Sequence, residues 1–140
     1  MAITTGIQIV VIFSGASEQD VPPPVYIFTP KSIRLIETTK KEYKLISVMG
    51  NETSEIPLSE ENVQQLAGLI NQLPDENMFA PARSFDGIVY DLVLMHAKKT
   101  IIYQWKNKDW RFIPDQLQET WVPIQAFADS VEGLSRSERL

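Results

Sequence analysis

The sequence predicts an α+β domain, an antiparallel sheet with two amphipathic helices packed on one face. Three observations carry that prediction. Residues 43–48 and 88–95 read as strands, whose side chains divide with a period of two onto two partly apolar faces. Val63, Leu66, Ala67, Ile70 and Leu73, and again Trp121, Ile124, Phe127, Ala128 and Val131, repeat with the spacing of a single helical face. The 140 residues are 44% apolar and contain no cysteine. That length suits one domain of about 100–150 residues, which can bury a core without disulfide or metal staples.

Taken in order, Gly6 to Phe13 is a β-branched apolar run and predicts a buried strand. Ser14 to Pro24 contains Gly15 and the triplet Pro22-Pro23-Pro24. Three consecutive residues without an N–H favour an extended loop. Val25 to Phe28 reads as a second short strand stopped by Pro30. In residues 32–38, Ile33 and Leu35 share one face, with Arg34 and Ile36 on the other. After a polar turn, Tyr43, Leu45 and Ser47 oppose Lys44, Ile46 and Val48. Gly50-Asn51 turns the chain into an edge strand over 53–58, because Pro57 is tolerated only at an edge.

Ser59 is placed to cap a helix whose first turn carries Glu60 and Glu61, where the helix dipole favours acids, and Pro74 ends it. Residues 75–85 read as a loop. Ile88, Tyr90, Leu92 and Leu94 then alternate with Val89, Asp91, Val93 and Met95, and Thr100 to Lys106 returns with Ile101, Tyr103 and Trp105 on one face. The last helix reads as two pieces, a turn opened by Pro114 and a longer segment capped by Thr120 with Pro123 in its first turn. Gly133 reads as its C-terminal stop. The predicted organisation is a single domain over 1–134, whose first 24 residues are a strand and a Pro-rich loop, followed by a flexible tail over 135–140. Residues 32–73 and 86–133 both read strand, strand, helix, which suggests an imperfect ββα duplication.

The composition narrows the chemistry. Without cysteine there is no thiolate zinc site, iron–sulfur cluster or cysteine nucleophile, and His96 is the sole histidine. No Gly-rich phosphate loop, Gly-x-Ser-x-Gly elbow, His-Glu-x-x-His or calcium loop is present. No catalytic residue, metal ligand or cofactor is therefore expected. The net charge of −5 argues against nucleic acid, since phosphate binding needs clustered basic groups, and Lys40-Lys41 and Lys98-Lys99 both fall in predicted turns. The longest apolar run, Ile9 to Phe13, is far shorter than the roughly 20 residues of a membrane span. A cytoplasmic location is expected, or a periplasmic one if a leader has been removed.

Four residues stand out as binding candidates. Trp110 beside Arg111, in a polar loop, has the character of a contact hot spot. Asp91 lies among apolar neighbours in a strand, so it either faces solvent or is buried with a partner such as Arg34 or Lys44. Tyr103 belongs to the same hairpin. Asp86-Gly87, Tyr90-x-Leu92, Tyr103-x-Trp105 and a helix closing with Val131-Glu-Gly-Leu134 resemble a loose group of bacterial proteins of unassigned function, over roughly residues 58–134. That resemblance brings no catalytic residues. The expectation is a non-enzymatic protein-binding domain, of the immunity or inhibitor kind. The alternatives are a periplasmic or surface accessory protein, and a small-ligand binder or enzyme using carboxylates and aromatics. Edge strands near Pro57 and Val25 leave pairing into a homodimer open.

Overall fold

The computed structural model describes residues 5–23, 28–38, 42–49, 51–79, 88–96, 99–106 and 115–137. Seven strands form one sheet: β1 (Thr5–Phe13), β2 (Phe28–Glu37), β3 (Tyr43–Met49), β4 (Glu52–Pro57), β5 (Met78–Phe79), β6 (Ile88–His96) and β7 (Lys99–Lys106). Helix α1 (Glu60–Ile70) follows β4, and helix α2 (Asp115–Ser137) follows β7. The strand order is β4-β3-β2-β1-β6-β7-β5.

The sheet is mixed, which corrects the antiparallel prediction. β1 lies at its centre and pairs in parallel with β2 on one side and β6 on the other, Ile9 standing between Ile33 and Leu92. β2–β3–β4 and β6–β7 are antiparallel, as their hairpin spacing implies, and β5 adds a short parallel pair to β7. Alternation assigns a residue to a face but carries no information about the direction of its neighbour. β1 does carry a sign of its position, since Val10 and Ile12 are as apolar as Ile9 and Val11, and a strand buried on both faces reads this way.

The predicted faces hold. Ile7, Ile9, Val11, Ile33, Leu35, Leu45, Tyr90, Leu92, Leu94, Ile101, Tyr103 and Trp105 face the helices. Leu66 of α1 and Trp121, Ile124, Phe127, Ala128 and Val131 of α2 complete that core. Val10, Ile12, Val93 and Met95 form a smaller cluster on the other face. No α-helix lies there among the described residues, only a single 3-10 turn over Glu18–Asp20. Ala16 and Val21, from the segment Ser14–Pro23, pack against it instead.

The connections follow from this layering. β1 reaches its parallel neighbour β2 across the helix-free face, and β4 reaches β6 through α1 on the opposite face. The two crossings run in opposite directions across opposite faces, so they share one hand, as the strong handedness preference of parallel crossovers demands. The same layout argues against the suggested ββα duplication. β2 and β6 point the same way, yet β3 lies outside β2 and β7 outside β6, on opposite sides of β1, with both helices on one face. No rotation superposes two units of opposite hand.

Three boundaries differ from expectation for local reasons. Pro30 does not stop a strand, because it lies within β2 where the register against β1 shifts and before β3 pairing begins at Lys31. A missing N–H is harmless at such an irregularity. α2 is continuous through Thr120, the predicted start of its longer piece, and through Gly133, the predicted stop, so that Pro123 lies in the helix interior. Burial of Trp121, Ile124, Phe127 and Val131 along one face outweighs the local cost of the proline, and Ser135, expected in the tail, is buried. β5 occupies part of what reads as a loop. The first helix is capped as predicted, Ser59 Oγ accepting the Asn62 N–H at 3.1 Å. The strand expected at Val25 to Phe28 lies largely outside the described residues.

Candidate functional site

The sequence candidates separate in the structure. Trp110 and Arg111 lie outside the described residues. Asp91 and Tyr103 belong to adjacent strands but to opposite faces of the sheet, since Asp91 stands beside Gln104 and Tyr103 beside Leu92. They do not form one site.

Tyr103 is fully buried under the helices and donates its hydroxyl to the Pro74 carbonyl. Burial, with Asp75 nearby, pushes its hydroxyl up to about 12. Its ring lines a cavity of about 130 Å³ at the carboxyl ends of β1 and β6, shared with Phe13, Asp75 and His96. His96 is partly buried there and packs on Phe13, with ring centres 5.3 Å apart. Lys99 pairs with Asp75 at the rim.

Asp91 is only 4% exposed on the helix-free face. Its described hydrogen-bond partner is Gln8, the register neighbour on β1, whose Nε2 donates to Asp91 Oδ2 at 3.4 Å and to the Pro22 carbonyl at 3.3 Å. Neither anticipated cation reaches it, because Arg34 pairs with Glu18 and Lys44 with Glu55. Burial raises the Asp91 pKa above the ordinary carboxylate value, and the Gln8 hydrogen bond offsets part of that rise. Gln8 is the residue that sequence reasoning missed. A glutamine in the middle of the apolar run 6–13 is itself a signal, since a central strand accommodates a polar side chain only with a partner.

A third polar cluster joins α2 to the sheet. Lys31 Nζ lies 3.9 Å from Glu132 Oε2, with side chains only 11% and 12% exposed. The Tyr90 hydroxyl hydrogen-bonds to Glu132, and burial first, then that carboxylate, pushes Tyr90 up to about 12. Tyr90 stacks on Trp105 with centroids 5.2 Å apart, and Trp105 in turn meets Trp121 at 6.0 Å. The Trp105 Nε1 is buried without a hydrogen-bond partner.

The largest of these places is a groove of about 370 Å³ where the β3–β4 hairpin meets the start of α1. Among the described residues Glu42, Tyr43, Pro57, Leu58, Glu60 and Val63 line it, and the charged ones, Glu42 and Glu60, are acidic. Tyr43 is fixed at its base. Its hydroxyl donates to Glu37 Oε2 at 3.3 Å, while Glu37 Oε1 accepts the Ser14 N–H at 2.9 Å. Burial and then the Glu37 charge raise the Tyr43 pKa.

Among the described residues no group of three or more His, Asp or Glu side chains is placed to hold a metal ion, and no helix is long and apolar enough to cross a membrane. Comparison with protein-family models, with curated proteins and with solved structures returned no match.

Proposed function

We propose that this chain is a protein-binding domain of the inhibitor or immunity kind, and that its partner presents a basic side chain to the groove between the β3–β4 hairpin and α1. One observation carries the reading: the groove combines an apolar floor of Leu58, Val63 and Tyr43 with two carboxylates, Glu42 and Glu60. Lysine and arginine have the complementary form, an apolar stem with a charged head. The volume lies near the lower end of the roughly 300–1,000 Å³ of small-molecule sites, and suits one inserted side chain better than a large ligand. The net charge of −5 would steer a basic partner toward the domain and accelerate association at low salt.

The test is affinity isolation of the tagged chain from its native cells at low and moderate salt, followed by binding kinetics with the protein recovered. The expected result is one stoichiometric partner whose association slows with salt, and whose affinity falls about tenfold or more when Glu42→Lys and Glu60→Lys are combined. A chain that recovers no partner at low salt, or a complex indifferent to both salt and the two substitutions, would overturn the reading.

A second reading, a small-ligand site at Asp91, draws on its burial without a described cationic partner. It is the weaker of the two, because Asp91 lines none of the cavities described above.

A further inference from the structure

The segment Ser14–Pro23 does for one face of the sheet what two helices do for the other. Ser14 and Gly15 take left-handed backbone conformations, with φ of 56° and 82°, and Ala16 N–H returns to the Phe13 carbonyl. This tight turn folds the chain back over β1. Three further ties hold it there. Glu37 accepts the Ser14 N–H, Arg34 pairs with Glu18, and Gln8 donates to the Pro22 carbonyl. Beneath it lie Val10, Ile12, Val93 and Met95.

The Gln8 tie is the one linked to a titratable group, because the same amide nitrogen also donates to Asp91. An ionised Asp91 on this face would have one long hydrogen bond and no described cation. Among the described side chains none supplies one: β1 presents Gln8, β7 presents Gln104 with Lys106 the next position along the same face of that strand, and β2 presents Ser32 and Arg34, the latter already turned to Glu18. The segment itself carries Glu18 and Asp20, which add negative charge. His96 stands on the opposite face, against Phe13.

We propose that Ser14–Pro23 is a proton-gated cover: it lies closed over the helix-free face while Asp91 is protonated, and it loosens when Asp91 ionises, uncovering the apolar strip of β1 and β6. The sign follows from the burial of the carboxyl. A group whose pKa is raised by closing favours the closed form fully below its ordinary carboxylate value, and that advantage is lost as pH rises through the raised value. The titratable group of this device, Asp91, is not part of the acidic groove at the β3–β4 edge, although Glu37 touches both, through Ser14 and through Tyr43.

Because the chain has no cysteine, a single engineered thiol can report the opening. Val93→Cys places it under the cover, and Val11→Cys places a control under the helices. Each is labelled with dithiodipyridine from acid to neutral pH, once with Asp91 intact and once with Asp91→Asn. Dividing the first rate by the second at each pH cancels the chemistry of the thiol. For the thiol at position 93 this ratio is expected to rise with pH, by about tenfold for each unit by which closing raises the Asp91 pKa. For the thiol at position 11 it should stay flat. A flat ratio at position 93, or an equal rise at both positions, overturns the proposal, the second because it reports global unfolding. Should Asp91→Asn fail to fold, the rate for Val93→Cys divided by that for Val11→Cys, both with Asp91 intact, gives the same decision: it should rise with pH, and a flat ratio would refute the gate.

Discussion

Replacing Glu132 by glutamine removes one charge from the polar cluster under α2 while keeping an oxygen for the Tyr90 hydroxyl. The structure lets the loss be sized. At the observed 3.9 Å, two unit charges interact by about 4 kcal/mol at an effective dielectric constant of about 20. Removing one partner of a buried pair costs about 3–5 kcal/mol, because the other charge stays desolvated. A loss of about 3 kcal/mol is therefore expected for Glu132→Gln. In a domain of 140 residues that lowers Tm by about 10 °C. The internal comparison is Glu55→Gln on β4. Its pair with Lys44 is shorter, at 3.2 Å, but Glu55 is 63% exposed. Screening and side-chain entropy leave such a pair worth about 0–1 kcal/mol. Urea denaturation followed by tryptophan fluorescence reads both, since Trp105 and Trp121 lie in the same core. If Glu132→Gln costs no more than Glu55→Gln, burial does not govern these pairs and the argument fails.

Three further outcomes follow from the same reasoning. Ser59→Ala should cost about 1 kcal/mol in the same urea titration by removing the cap on Asn62, and Ser59→Asp should restore most of it. Gly15→Ala should destabilise the turn after β1 by about 1 kcal/mol, because φ of 82° strains any residue with a Cβ, whereas Gly68→Ala in α1, where a Cβ meets open space, should stabilise the chain. Tyr90 and Tyr103 both have their hydroxyl pKa raised from 10.0 to about 12, so their contribution is complete below pH 10 and is lost as pH rises through the folded value. Spectrophotometric titration should show these two ionising together with unfolding, and their early ionisation in the folded chain would contradict the burial described.

Much of the fold is written in residue spacing. Alternation over 43–48, 88–95 and 100–106 divides the sheet faces correctly, and the stripe from Trp121 to Val131 marks the buried side of α2. What spacing cannot carry is the identity of neighbours. Asp91 has the same local sequence whether it faces water or the underside of Ser14–Pro23, and the choice is made by residues 83 positions away in the chain, beginning with Gln8. The Lys31–Glu132 pair escapes for the same reason, since both residues belong on local grounds to solvated surfaces. Thr120 with Pro123 after it, read as a helix start, and Gly133, read as a helix stop, misled in the other direction. Each is a valid punctuation mark locally, but a helix with four fully buried side chains along one stripe overrides both.

The composition of β1 links these features. A central strand with Ile9 and Val11 on one face and Val10 and Ile12 on the other needs both faces covered. The two helices carry enough apolar surface for one of them, and the chain between β1 and β2 must serve the other. Among the described residues of that segment Ala16 and Val21 are the apolar contacts, and polar ties at Glu18, Ser14 and Pro22 add to its attachment. A helix packed by dispersion and burial responds little to pH. A cover held by a few hydrogen bonds above a carboxyl responds directly, because each tie is a large share of what holds it closed. Substituting Ala16 and Val21 with larger apolar residues that still fit should therefore slow labelling at position 93 by a common factor at every pH and leave the size of the pH response, which Asp91 sets, unchanged. A pH response that disappears with such substitutions would mean that Asp91 does not control the cover.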